Sequence, residues 1–223
     1  MEQRYWTLSN VNLYEILCPV KLNKYDSEQR NWYDKEDVIY AKNKTDYNIY
    51  MVSQGKVKLV NYDDRGKEIV KQILVKGELF GEKIILDEAK REEFAVACEN
   101  KTTVCKMNLT DMRKLMGENQ QFATKIYRFI GLRLRKTERR LELLIGKDVT
   151  ARVASFIYDL HQEHQKMSFS LHFSQGDMAS LLATSRESVA KVLNKMKHGE
   201  VIDYTRRKIV VKNAAKLFEL SNN

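Results

Sequence analysis

The string best equipped for chemistry in this 223-residue chain is Ser185-Arg186-Glu187-Ser188, with Lys191 one helical turn further on. An arginine or lysine can donate to O6 and N7 of guanine, and a glutamate can accept from N4 of cytosine. On an exposed helix face this set therefore suits base edges in the major groove of duplex DNA. Ser185 and the backbone amides after it suit a phosphate. Other chemistries have less to offer. Cys18, Cys98 and Cys105 lack the C-x-x-C spacing of zinc or iron–sulfur sites and read as reduced thiols. His161 and His164 share a helix face but have no third ligand nearby, so no metal is expected. With no nucleophile–base pair and no phosphate loop, an enzyme is not expected either.

A base-reading face needs a scaffold, and the flanking residues supply one. Ser174-Gln175-Gly176-Asp177 follows the S/T-x-x-D/E capping-box pattern and opens a short helix carrying Met178, Leu181 and Leu182. Ala183-Thr184-Ser185 breaks it. A second helix runs from Arg186 to about His198, with Val189, Val192, Leu193 and Met196 facing inward. Two short helices joined by three residues, with Ala179 and Ala183 small enough for a close crossing, make a helix-turn-helix pattern. Residues 201–204 and 208–212 read as a hairpin wing with Arg206 and Arg207 at its turn. The expected DNA contacts are Ser174, Gln175, Thr184, Ser185, Arg186, Glu187, Ser188, Lys191, Arg206 and Arg207. Upstream, Asp148 caps a helix ending near His164, and residues 168–173 alternate as a short strand.

The first half of the chain has a different texture. Residues 5–24 are mixed, helical or irregular. From 31 to 108, short segments rich in β-branched and aromatic residues alternate with turn residues. Residues 49–52, 56–62 and 67–74, with turns at Gln54-Gly55, Asp63-Asp-Arg-Gly66 and Lys76-Gly77-Glu78, read as a β-meander, with further strands at 93–98 and 102–108. Thr110-Asp111 would cap a short helix. In the next helix Ala123, Tyr127, Ile130, Leu134, Thr137, Leu141 and Leu144 recur at alternating spacings of four and three, an a/d seam. Its narrowness and its basic flanks favour a contact with a second copy of the chain, packing on the β unit being the alternative.

Charge agrees with this division. The chain has 39 Lys and Arg against 30 Asp and Glu, a net charge of +9. Residues 1–124 balance at twenty of each sign, whereas 125–147 carry eight basic and two acidic residues and 186–212 carry eight and three. The surplus lies toward the C-terminus, which implies an anionic partner there. No apolar run approaches the roughly 18 residues of a membrane span, and no leader-like segment opens the chain, so a cytoplasmic protein without membrane contact is expected.

Residues 173–196 also resemble the helix-turn-helix of the Crp–Fnr family of bacterial transcription regulators. The likeness continues upstream: Gly55, Gly66, Gly77 and Phe80-Gly81-Glu82 fall where that family's cyclic-nucleotide-binding β-roll has its turn glycines and Phe-Gly-Glu segment. The resemblance spans about residues 31–212. It implies a homodimer that presents two recognition helices to a two-fold symmetric double-stranded operator and works with RNA polymerase. Arg186 and Glu187 match the family's base-reading pair; Lys191 replaces an arginine and so lacks its bidentate fork. In the nucleotide-binding members, the glycine and glutamate hold the ribose and a later Arg-Ser pair neutralises the cyclic phosphate. Gly81 and Glu82 are retained. Aligned without a gap, Glu92 and Glu93 take the Arg-Ser positions; with one residue removed, Arg91 matches the arginine and Glu92 the serine. Either way a carboxylate is expected near the phosphate site, which disfavours cyclic AMP as a cofactor and leaves any other effector open. Thr137 matches the threonine that reaches the adenine. Gly81, Glu82, Arg91 and Thr137 are thus the candidate effector residues. The family's iron–sulfur branch needs a cluster of N-terminal cysteines, and only Cys18 is there.

The expected protein is α+β, of the Crp–Fnr type: a cyclic-nucleotide-binding-like β-roll of jelly-roll (double-stranded β-helix) form over residues 1–118, a dimerisation helix over 119–146 with its seam at Tyr127, Ile130, Leu134, Thr137, Leu141 and Leu144, and a winged helix-turn-helix over 147–223. The alternatives are a regulator that does respond to cyclic AMP, and an interaction module whose C-terminal domain binds protein rather than DNA.

Overall fold

The computed structural model describes residues 30–86, 90–205 and 208–222, so residues 5–24, Cys18, Arg206 and Arg207 lie outside the described residues. The chain divides into two compact units that part between Gly131 and Leu132, within one helix.

Eight strands build the first unit: β1 (Arg30–Tyr33), β2 (Val38–Tyr40), β3 (Asn48–Gln54), β4 (Lys56–Tyr62), β5 (Glu68–Val75), β6 (Leu79–Phe80), β7 (Phe94–Ala97) and β8 (Thr102–Asn108). They form two antiparallel sheets of order β1-β8-β3-β6 and β2-β7-β4-β5, a jelly roll. The meander expected from residues 49–74 is corrected here. Only β4 and β5 pair directly, while β3 belongs to the other sheet. Gly55 makes the corner between β3 and β4 with φ +80°. A Cβ there would lie 2.6 Å from Oγ1 of Thr102, so no larger residue fits. The reason for the switch is burial: the five residues from Ile49 to Ser53 are all buried, on both faces of β3, and a strand in a one-sided meander would leave alternate residues in water. Tyr40, Tyr50, Val52, Val57, Leu59, Leu74 and Phe80 fill the roll, and the Tyr50 and Phe80 rings stack at 5.2 Å.

Helix α1 (Leu109–Glu118) follows β8. Its N-cap is Asn108, whose side chain accepts from the Thr110 amide, so the cap stands just before the expected Thr110-Asp111. Helix α2 (Gln120–Gly146) is amphipathic twice over. Phe122, Ile126 and Phe129 are buried on one face, whereas Tyr127, Ile130, Leu134 and Leu141 stand in solvent on another, Leu134 at 59% exposure.

In the second unit α3 (Val149–His164) is capped by Asp148, which accepts from the Ala151 amide. It is followed by β9 (Ser168–Ser170), α4 (Gln175–Leu181), α5 (Arg186–His198), β10 (Ile202–Thr205), β11 (Lys208–Val211) and α6 (Ala214–Asn222). Strand β9 stops earlier than the expected residue 173, because Phe173 turns inward against Phe156 at 5.5 Å, edge to face. The sheet order β10-β11-β9 makes β10–β11 the wing hairpin. Helix α6 was not anticipated, although Asn213 caps it by accepting from the Lys216 amide and Leu217 is fully buried. Its Phe218 ring lies 5.2 Å from Tyr158 of α3. Among the described residues no helix is long and apolar enough to cross a membrane.

Candidate DNA interface and effector roll

The helix-turn-helix is assembled by local hydrogen bonds between its own residues. In α4 the capping box is complete: the Ser174 hydroxyl accepts from the Asp177 amide at 3.1 Å, and the Asp177 carboxylate accepts from the Ser174 amide at 2.8 Å. Ala183 turns the chain with φ +48°, and the Thr184 amide donates back to the Ala179 carbonyl at 2.9 Å. Ser185 caps α5 by accepting from the Ser188 amide at 3.1 Å, its Oγ also 3.1 Å from that of Ser188. With Val189, Val192, Leu193 and Met196 buried beneath, α5 has one orientation. Arg186, Glu187 and Lys191 then project from its first turns, exposed. The Glu187 carboxyl is held below the usual range, first by its own backbone N–H and then by the Ser185 hydroxyl, so it is a carboxylate acceptor at neutral pH. The wing is tied to α5 where the Tyr204 hydroxyl donates to Asn194 at 3.0 Å and Lys197 pairs with Asp203 at 2.7 Å.

The polar centre of the roll is arranged in the opposite way. Arg91, only 4% exposed, donates through Nη1 to the Gly81 carbonyl at 2.8 Å. It donates through Nη2 and Nε to Asp46 at 2.9 and 3.3 Å, and through Nη2 to the Asn48 carbonyl. The guanidinium also lies over the Tyr40 ring, 4.6 Å from its centroid. Gly81 has φ +75°, and a Cβ there would stand 2.8 Å from Nη1 of Arg91, so this approach requires glycine. Burial pushes the Asp46 carboxyl up, but hydrogen bonds from Tyr50 and Arg91 and the Arg91 charge outweigh it and hold the group below its ordinary value. The Tyr50 hydroxyl, donating to Asp46 at 2.7 Å, is pushed up by burial and by that carboxylate.

Two family models match the chain: a Crp-like helix-turn-helix domain over residues 151–220 and a cyclic nucleotide-binding domain over residues 30–119. The chain is 30% identical over 193 residues to the cyclic AMP receptor protein of Thermus thermophilus, covering 86% of this chain and 88% of that one. It belongs to the Crp–Fnr family. It is 23% identical to the anaerobic regulatory protein of Aggregatibacter actinomycetemcomitans over 95% of this chain and 86% of the relative. Among solved structures it is similar in fold to a CooA mutant from Carboxydothermus hydrogenoformans, with TM-score 0.77, 23% identity and coverage of 94% of this chain and 95% of that one. FixK2 from Bradyrhizobium japonicum gives TM-score 0.72 at 22% identity, over 86% and 96% of the two chains.

The protein is accordingly a Crp–Fnr-type DNA-binding transcription regulator with a cyclic-nucleotide-binding-like sensor domain; a degenerate, protein-binding C-terminal domain is not favoured. Within that frame, the expected DNA residues divide by role. Ser174, Ser185 and Ser188 use their hydroxyls in caps, Gln175 and Thr184 are half-buried, and Arg186, Glu187 and Lys191 face outward. In the roll, Gly81 and Arg91 meet directly, whereas Glu82 opens a 3-10 turn, Glu82–Leu86. Thr137, on α2, donates its hydroxyl to the Arg133 carbonyl. Glu92 and Glu93, the carboxylates expected beside the arginine, do not pair with Arg91. Glu92 pairs with Lys83 and Glu93 with Lys71 at 2.9 Å, while Asp46, 45 residues before Arg91, faces the guanidinium. No local pattern marks Asp46; only the fold of the roll brings it there. Elsewhere, Cys105 is buried and Cys98 half-buried, His164 stacks on Phe169 at 5.0 Å, and His161 bonds the Lys166 carbonyl at 3.0 Å.

Proposed function

We propose that two copies of this chain pair through the stripe of α2 formed by the exposed Tyr127, Ile130, Leu134, Thr137 and Leu141 and the half-buried Leu144, and offer two α5 helices to a two-fold symmetric operator in the cytoplasm. There the dimer acts on transcription by RNA polymerase and carries out no catalysis of its own. The observation that supports this most is the start of α5: a helix capped by Ser185 with an Arg-Glu pair suited to reading bases and Lys191 projecting into solvent. Ser185, Thr184, Gln175 and Ser174, with the amides beside their caps, would meet phosphates, and Arg206 and Arg207 would follow the backbone from the wing. The stripe supports pairing because four large apolar side chains at heptad spacing lie open to water on one helix. Leu134→Lys should give monomers that lose operator binding; a variant still dimeric in analytical centrifugation would rule out this seam.

The roll does not take cyclic AMP in the family's usual mode on this reading. A cyclic phosphate at Arg91 would compete with Asp46 for the guanidinium and meet a like charge, at a cost on the order of 1–4 kcal/mol for charges about 4 Å apart. Calorimetry of the full chain with cyclic AMP should show no saturable heat below millimolar concentration, and micromolar binding would refute the assignment.

A further inference from the structure

The turn of the helix-turn-helix carries carbonyls that α4 cannot satisfy, since the last C=O groups of any helix lack intrahelical partners. Here each has an identified donor. The Met178 and Ala179 carbonyls accept from the Leu182 and Thr184 amides, both at 2.9 Å. The next four carbonyls are taken by two arginines from outside the motif. Arg140 of α2 donates through Nε to Leu181 at 2.8 Å and through Nη2 to Ser180 at 3.4 Å. Arg152 of α3 donates through Nη1 to Leu182 at 2.6 Å and to Ala183 at 3.4 Å. The helix that supplies Arg140 is itself locked to α3 next door: Arg139 makes a two-pronged bond with Asp159, Nε to Oδ2 and Nη2 to Oδ1, both at 3.1 Å. Asp159 is buried, so this lock is shielded from water.

We infer that Arg140 and Arg152 are positioning residues for DNA recognition: a guanidinium fork from Arg140 and a single Nη1 of Arg152 together fix the turn between α4 and α5, and with it the direction of the recognition helix, to α2 and α3. The inference rests on the proposed dimer, because α2 carries both the proposed seam and Arg140. Ser185, which caps α5, is only two residues beyond the last clamped carbonyl, so a displacement of α2 along its axis is transmitted to α5 through a short, hydrogen-bonded path rather than only through the connection at Gly146-Lys147-Asp148. Arginine suits the task at position 140 because its planar fork can address two successive carbonyls, which the single ammonium of lysine cannot do in a fixed geometry. The positive charge also lies at the C-terminal end of α4, where the helix dipole favours it.

The test uses the full chain and an operator selected by the wild-type protein from random duplexes. Arg140→Ala and Arg152→Ala should each lower affinity for that operator about tenfold, the cost of roughly one misread base pair. Binding to random-sequence DNA and its salt dependence should not change, and sedimentation should still show dimers. The decisive reading is half-site spacing. Wild-type protein should discriminate against the operator with one base pair inserted between half-sites, and the alanine variants should lose much of that discrimination. Arg140→Lys should not restore it. Full restoration by lysine would mean that charge alone matters and would overturn the inference, as would an Arg140→Ala chain with wild-type affinity and spacing preference. Arg140→Gln, which keeps a donor but not the fork, gives the same readings should the alanine variant fail to fold. A wild-type chain that selects no operator overturns the functional reading beneath the inference as well.

Discussion

The roll interior and the start of α5 use the same kinds of side chain for opposite ends. Both set an arginine beside a carboxylate: Arg91 with Asp46, and Arg186 with Glu187. In the roll the chain itself supplies every partner, namely a carboxylate, two carbonyls and an aromatic face, and the cation is sealed from water. At α5 the Ser185 hydroxyl caps the Ser188 amide and the apolar face is buried, while Arg186 and Lys191 make no ion pair among the described residues. A charged pair therefore says little about function by type alone. What distinguishes a structural pair from a reading pair is whether its neighbours complete its coordination, since a buried charge must be paired whereas an exposed one can be left for a partner.

That contrast can be broken experimentally, and the largest effect should come from the buried side. Arg91→Ala leaves the Asp46 carboxylate uncompensated and should destabilise the roll by about 3–5 kcal/mol in chemical denaturation; a loss below about 1 kcal/mol would mean that the pair is not the polar keystone of this unit. Arg186→Ala should do the reverse, costing about 1–3 kcal/mol of operator affinity in a binding titration and less than about 0.5 kcal/mol of stability. Ser185→Ala removes the cap that aims the reading face and should cost about 1 kcal/mol of stability, with weaker operator binding. The smallest effect is a pH slope. Because the folded-state pKa of Asp46 is lowered, its contribution to stability is present above the ordinary carboxylate value and is lost as pH falls through the lower, folded value. Unfolding followed between about pH 5 and 2 should show this slope in the wild type, and Asp46→Asn should flatten it.

Much of the recognition unit was legible because its signals are local. The capping box at Ser174 and Asp177, the break at Ala183 and the apolar face of α5 each depend on residues within a few positions of one another, and the structure places all three as expected. The roll was legible as a set of strands but not as a connected sheet. Alternating apolar residues mark a strand without saying which strand lies beside it, and the chain crosses between sheets at Gly55, where the sequence alone suggests an ordinary turn. Helix α6 went unread although Asn213 and Leu217 give it a cap and a buried anchor, because it is short and its tertiary partner Tyr158 lies far back in the chain.

The sequence by itself determined most of the longer strands and helices, the capping box of α4, the heptad stripe on α2 and the side chains at the start of α5, since each of these follows from propensity, period or hydrogen bonding over a few residues. Only the tertiary structure decided that Asp46, and not Glu92 or Glu93, neutralises Arg91, and that Arg140 and Arg152 take the carbonyls of the helix-turn-helix turn. The physical reason is the same in both cases. A long cationic side chain is satisfied by whichever acceptors the packing brings within about 3 Å, and across separations of thirty to forty-five residues that choice is made by the fold.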